Sequence, residues 1–384
     1  MRYKGSYLSY FFMYLFYYLS MALFSGLISV YLMNKGYSAG HVSLVTSSAL
    51  IVSMVIQPFI GNLTDRFNKQ KVSICLLLSG SVLGILFVHS QKIYWMAVFY
   101  SLALGCMNGC NPVIEKTATL ARYSYASIRI WGSIGYATGI QVSGLIFQYL
   151  SGESVYYFFS LAILICAFGF LGVQKFDESD VKSSAELPYS LRDVFNKQYL
   201  IYLIIAVLFY GATTVHSTYL PVILQENGMS VNGAATVVSL GTLLELLVIF
   251  AGSKFINHIP NKTLLLIEFI LLILQFATMA FIPWLPIKIV VILCTKSVAT
   301  MAYIMINMKV IRTIVDVRYQ MTALSIVMTA KNFVTIGFQV ISSHLIDHGG
   351  SQLFYCFLFI VSCLAFGITL KSRMPKGDTV AMYH

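Results

Sequence analysis

Charge is what this sequence has least of. Asp, Glu, Lys and Arg make up 10% of its 384 residues, where a soluble globular protein carries roughly 25%. That is too little polar side chain to cover a surface facing water, so a soluble enzyme is excluded. Cysteine is also sparse. Seven residues, an odd number in a chain this long, exclude a secreted disulfide scaffold. There is no phosphate-binding glycine loop, no His-Glu-x-x-His and no Asp-rich metal motif, which argues against a membrane-embedded enzyme. Cys106 and Cys110 share a helix face but have no neighbouring histidine, so neither a metal site nor a cofactor is expected. Apolar side chains are what is abundant: 58% of residues are hydrophobic and mean hydropathy is +0.80. That excludes disorder and leaves a polytopic integral membrane protein.

A helix crossing the hydrocarbon core needs about 20 mostly apolar residues. Twelve such stretches occur, near 7–33, 40–62, 72–90, 93–115, 129–150, 154–174, 199–225, 231–253, 263–283, 286–308, 322–346 and 351–370. Backbone groups in lipid must be satisfied within the segment, so these are helices. A barrel would show short alternating strands instead. The first stretch is too long and too rich in Tyr and Phe for a cleaved signal, and it lacks a small-residue cleavage site.

The net charge of +11 marks cytoplasmic loops rather than a nucleic-acid surface. With both termini placed in the cytoplasm, 19 of the 25 Lys and Arg fall in cytoplasmic loops or tails. Lys35, Lys92 and Lys288 fall outside, and Arg129, Lys296 and Lys331 lie within spans. This bias predicts a multi-pass protein of the cell membrane with both termini cytoplasmic. The longest polar stretch, 175–197, divides the chain into residues 1–174 and 198–384. The expected fold is an all-α integral membrane protein: twelve transmembrane helices in two pseudo-symmetric six-helix bundles, joined by a cytoplasmic linker. A monomer is expected.

Between the second and third spans the sequence runs Gly61-Asn62-Leu63-Thr64-Asp65-Arg66-Phe67-Asn68-Lys69-Gln70-Lys71. This resembles the loop signature of the major facilitator transporters, G-x-L-x-D-R-x-G-R-K, with Asn68 where glycine is usual. Asn tolerates the same left-handed turn. Gly61 is expected to let its helix approach a neighbour closely, and Asp65 to accept hydrogen bonds where a helix dipole favours an anion. The resemblance implies that Gly61, Asp65, Arg66 and Lys69 form a cytoplasmic latch of the transport cycle. It also implies parallel six-span repeats with a site at their interface. The corresponding loop of the second half, Gly252 to Lys262, has no Asp, so a second latch is doubtful.

Further stretches narrow the match: Gln57-Pro58-Phe59-Ile60-Gly61, Asn111-Pro112-Val113-Ile114-Glu115, Arg129-Ile130-Trp131-Gly132-Ser133 and the run from Leu240 to His258. Together they resemble the oligosaccharide:proton symporter group, which includes lactose permease-like and phenylpropionate permease-like members. The resemblance implies that Glu115 and Arg129 bind substrate, with Tyr136 stacking on a sugar ring. A carboxylate and a guanidinium facing one cavity can accept from and donate to hydroxyls; the bland alternative is a structural bridge. Asn111 and Lys331 are added as candidate substrate contacts.

The second half departs from that group where its proton relay should lie. Ala299 and Ala302 hold the places of the His and Glu, and Leu274 or Gln275 that of an Arg. What remains is Glu245 near the middle of an apolar span, with Lys296 and Lys331 as charges able to pair with it. A carboxyl in such a setting suits a proton carrier, so Glu245 and Lys296 are the expected coupling groups. Glu268 is expected to be interfacial. His216 is read equally as a cavity or a packed residue. The tyrosines of the first span, Tyr10, Tyr14, Tyr17 and Tyr18, are read mostly as lipid or interface packing, with one or two facing a cavity. The expected function is proton-coupled import of a small polar solute, a sugar or an organic acid, by alternating access. Efflux of amphipathic drugs is the alternative.

Overall fold

The structure, a computed structural model, describes residues 5–173, 195–256, 258–316 and 319–375. Of the linker expected at 175–197, residues up to 194 lie outside the described residues. The described chain is helical. α1 (Tyr7–Ser25) and α2 (Ile28–Asn34) together make the first crossing. Then follow α3 (Ala39–Arg66), α4 (Lys69–His89), α5 (Ile93–Thr119), α6 (Tyr125–Tyr149), α7 (Ser154–Gly172) and α8 (Lys197–Glu226). α9 (Val231–Phe255), α10 (Asn261–Phe281), α11 (Leu285–Ile314) and α12 (Gln320–Lys371) complete the chain. α12 is 52 residues long and breaks at Gly350, whose φ of 69° and ψ of −173° leave the helix. A side chain is disfavoured at that φ, and glycine has none. The break splits α12 into the last two crossings, so the helices supply the twelve expected from the sequence.

Among the described residues, ten helices are long and apolar enough to cross a membrane, and α6 is not one of them. Its sequence explains why. Gly132, Gly135, Gly139 and Gly144 recur through it among Ser, Thr and Tyr, the composition of a helix that packs tightly rather than one that faces lipid. A Cβ at Gly135 would run into the Leu15 carbonyl of α1, and one at Gly139 would lie 2.6 Å from the Leu19 carbonyl. Gly61, where close approach was expected, is open: a Cβ there meets nothing within 4 Å. Gly135→Leu should therefore abolish a monodisperse peak in detergent size-exclusion chromatography, while Gly61→Ala should elute like the wild type. Equal behaviour of the two variants would remove the packing argument.

The described residues group into two compact units, one within Met1–Glu178 and Thr218–Leu243, the other within Ser179–Ser217 and Leu244–His384. In the first, α1 packs on α6 and α7, and α3 and α4 pack on α5. Phe24 anchors an aromatic core, stacked on Tyr100 at 4.8 Å and against Phe159 at 4.5 Å. The first part of α9 joins this unit through Gln141 Nε2 donating to Asn232 Oδ1 at 2.7 Å and Ser239 Oγ donating to the Ala137 carbonyl at 2.8 Å. In the second unit α10 packs on α11 and α12.

The signature loop departs from expectation at a second residue, Asn68. Asn68 has φ −59°, outside the left-handed region, and caps α4: its Oδ1 accepts from the Lys71 backbone N–H at 3.2 Å. Asn is among the best N-cap residues, so it starts the next helix instead of imitating glycine. Asp65 and Arg66 end α3 and Lys69 opens α4; the Asp65 side chain is outside what is described. In the corresponding second loop, the side chain of Lys254 is likewise outside the described set. There Lys309 of α11, fully buried, donates to the carbonyls of Ile256 and Ile259 at 2.7 Å each. The lysine thus satisfies carbonyls of the loop between α9 and α10.

Candidate functional site

In the first unit, Glu115 sits in the last turns of α5, and α1 and α6 close on it. Tyr14 and Tyr18 of α1, one turn apart and so on one face, both donate their hydroxyls to Glu115 Oε1 at 2.7 Å. Tyr125, the first residue of α6, donates to Oε2 at 2.8 Å. The Tyr18 hydroxyl also lies 3.4 Å from Asn111 Oδ1, one turn back along α5. A carboxylate has about four acceptor positions, so three tyrosines leave room for one more donor.

Arg129, in the second turn of α6, lies over the Tyr18 ring at 5.4 Å. It feels the field of Glu115 along with Tyr14, Tyr18 and Tyr125, yet the two form no ion pair within 4 Å; the contacts of Glu115 are the three hydroxyls. The direct structural bridge is thus not what the geometry contains. The Arg129 guanidinium keeps a cation–π contact and leaves its donor fork to other partners. Gly132 makes this possible: a Cβ there would lie 2.9 Å from the Arg129 guanidinium and 2.7 Å from the Tyr14 ring. Tyr136 lies seven residues, two turns, beyond Arg129, within electrostatic reach of Tyr100 of α5. Asn111, Glu115, Arg129, Tyr18 and Tyr136 are all half-buried.

The sequence predicts the tyrosines of the first span mostly in lipid or interface packing, with one or two facing a cavity. Tyr10, Tyr14 and Tyr17 are instead fully buried in protein, with Tyr17 donating to the Met107 carbonyl at 2.9 Å. Their spacing on α1 was the available signal: Tyr14 and Tyr18 at i and i+4 mark one polar stripe on an apolar helix.

The second unit holds two polar clusters. In the first, His216 of α8 is packed, not open to a cavity. Thr295 donates to Gln275 Oε1 at 2.9 Å, which turns the amide nitrogen toward His216 Nε2 at 2.7 Å, and His216 Nδ1 faces the Tyr355 hydroxyl at 3.3 Å. Of the two positions offered for the missing arginine, Gln275 points inward and is fully buried, whereas Leu274 is 51% exposed. Lys296 lies within the field of Glu245 and acts on His216. Lys331 is elsewhere, over the Tyr210 ring at 4.9 Å. Of the two lysines, Lys296 is the one that feels the field of Glu245. In the second cluster, Glu268, expected to be interfacial, is buried within the protein at 2% exposure, beside Tyr303.

A polar cavity of about 380 Å³ lies apart from all of these, bounded by Lys35, His89, Glu153 and Tyr157. Lys35 Nζ meets Glu153 Oε1 at 2.8 Å and stands 4.8 Å from the Tyr31 ring. Burial lowers the pKa of Lys35, but its bonds to Glu153 and Tyr31 outweigh that and hold it above the ordinary lysine value. Such a half-exposed pair is worth at most about 1 kcal/mol. Among the described residues no group of His, Cys, Asp and Glu is placed to hold a metal ion.

The profile of the Major Facilitator Superfamily matches residues 10–310. The chain is 23% identical over 372 residues to the uncharacterized transporter YwbF of Bacillus subtilis (strain 168), covering 93% of this chain and 91% of that protein. It is 29% identical over 165 residues to a maltose permease of Geobacillus stearothermophilus, covering 40% and 41% respectively. Among solved structures, the nucleoside transporter NupG superposes with a TM-score of 0.81 at 15% identity, over 95% of this chain and 99% of that one.

Proposed function

We propose that this chain, which belongs to the Major Facilitator Superfamily, is a proton-coupled importer of a small polar solute, a sugar or an organic acid. Family and fold are those of transporters, not enzymes, and the chain is a multi-pass membrane protein. The observation that carries the finer reading is Glu115, which holds three tyrosine hydroxyls and keeps one acceptor position beside an Arg129 whose fork has no carboxylate. A solute hydroxyl can donate to the first and accept from the second; a carboxylate can take the fork. Tyr136 offers an aromatic face to a sugar ring, and Asn111 an amide. Similarity to a maltose permease favours the sugar.

On this reading Glu245 and Lys296 couple the proton, and Lys331 is a further solute contact. Gly61, Asp65, Arg66 and Lys69 form the latch. Residues 1–174 and 198–384 are the two bodies that alternate access, acting as a monomer in the cell membrane with both termini cytoplasmic. Counterflow in proteoliposomes tests it, with labelled maltose, 3-phenylpropionate and tetracycline as probes. Exchange of maltose or 3-phenylpropionate is the expected result. Exchange of tetracycline alone would replace import with drug efflux.

A further inference from the structure

The transport reading leaves one acid unused. Glu268 lies seven residues into α10, about 10 Å along the axis from the helix start, and within the hydrocarbon depth if α10 spans the membrane. It is 2% exposed, and its Oε2 is buried with no hydrogen-bond partner. The wall around it is aromatic. Phe269 of α10 meets Phe209 of α8 at 6.1 Å, and Phe209 stacks on Tyr303 of α11 at 3.6 Å, nearly parallel.

The groups facing this acid can be named. From α11 it is Tyr303, whose buried hydroxyl lies against that of Tyr202. Behind Tyr303 stand Tyr202 and Tyr210 of α8. Tyr202 donates to Asn307 Oδ1 at 2.6 Å, and the Tyr210 hydroxyl is unpartnered. Lys309 of α11 is committed to the carbonyls of Ile256 and Ile259. From α12, Lys331 stands over Tyr210, and among the described residues no charged side chain acts on Glu268.

An ionised carboxylate in such a place would have neither counter-charge nor full hydrogen bonding, at a cost of several kcal/mol. The acid form removes that cost, because the group is then neutral. We propose that Glu268 is a proton-binding site of the transport cycle, separate from Glu245 and loaded in this conformation. Glu245 has a cation, Lys296, in reach; Glu268 has none. When the site opens to water, the O–H bond breaks, the proton passes to water, and the carboxylate takes the Tyr303 hydroxyl as its donor. The inference rests on the transport reading only for the word cycle; binding of the proton stands on the geometry.

Infrared spectroscopy of the purified protein tests the binding directly. Wild type and Glu245→Gln should show the C=O stretch of a buried protonated carboxyl, shifted in D2O, and Glu268→Gln should lack it. Tyr303→Phe, which leaves the acid in place, should keep it. Glu268→Gln is close in shape to the acid form, so thermal unfolding should match the wild type. In proteoliposomes it should exchange labelled maltose or 3-phenylpropionate, whichever the wild type carries, yet fail to concentrate it against a proton gradient. A band that survives Glu268→Gln, or full accumulation by that variant, overturns the proposal. If the wild type exchanges neither probe, the transport reading fails and the infrared result alone decides the proton site.

Discussion

Arg129→Lys should leave the protein folded and cut solute counterflow by about 30- to 150-fold at low solute concentration. The estimate is one lost hydrogen bond to a charged group, about 2–3 kcal/mol. Lysine keeps the charge but not the planar fork, so the variant separates geometry from electrostatics. Arg129 makes no ion pair with Glu115 and lies over Tyr18, so its loss opens no buried salt bridge. Thermal unfolding in detergent should shift little. Glu115→Gln should behave alike, since an amide oxygen still accepts from Tyr14 and Tyr18. If both variants instead unfold early and transport in proportion to the folded fraction, the residues are structural and the solute binds elsewhere.

Glu245→Gln should uncouple transport from the proton gradient. A single proton carried with each solute allows about tenfold accumulation per pH unit, because each unit is worth about 1.36 kcal/mol. The variant should fall to simple equilibration while counterflow stays within about threefold of wild type. Lys296 lies within the field of this carboxylate, so Lys296→Met alone should impair folding or exchange, and adding Glu245→Gln should restore part of it. Rescue of that kind follows from leaving no buried charge without its partner. Undiminished proton-driven uptake by Glu245→Gln would make the pair a static link between α9 and α11.

The crossings were legible because lipid imposes a one-dimensional rule, a long apolar run, and the Gly350 break falls between two such runs. α6 obeys it poorly, though 129–150 still reads as one of the twelve apolar stretches. The site was legible in part. Glu115 and Arg129 stood out as charges in apolar surroundings, but two of the three hydroxyls on Glu115 come from α1, about 100 residues away, and no spacing records what lies across a helix interface. Position misled in two places. Glu268 was judged by its distance from the helix end, whereas its direction around the axis buries it. Asn68 was judged by the glycine it replaces, whereas the helix after it needed a cap.

The glycine seam between α1 and α6 has a consequence for release. Gly132, Gly135 and Gly139 bring α6 onto the ring of Tyr14 and the backbone of Leu15 and Leu19, leaving no room for one helix to slide along the other. Tyr14, Tyr18 and Arg129 are carried on the two sides of that seam, so they travel as a single plate. On the proposed reading, a solute held by this plate would keep the same grip whichever side of the membrane it faces. Its affinity for these residues would then be constant through the proposed cycle, and the asymmetry that lets it go would lie in other residues.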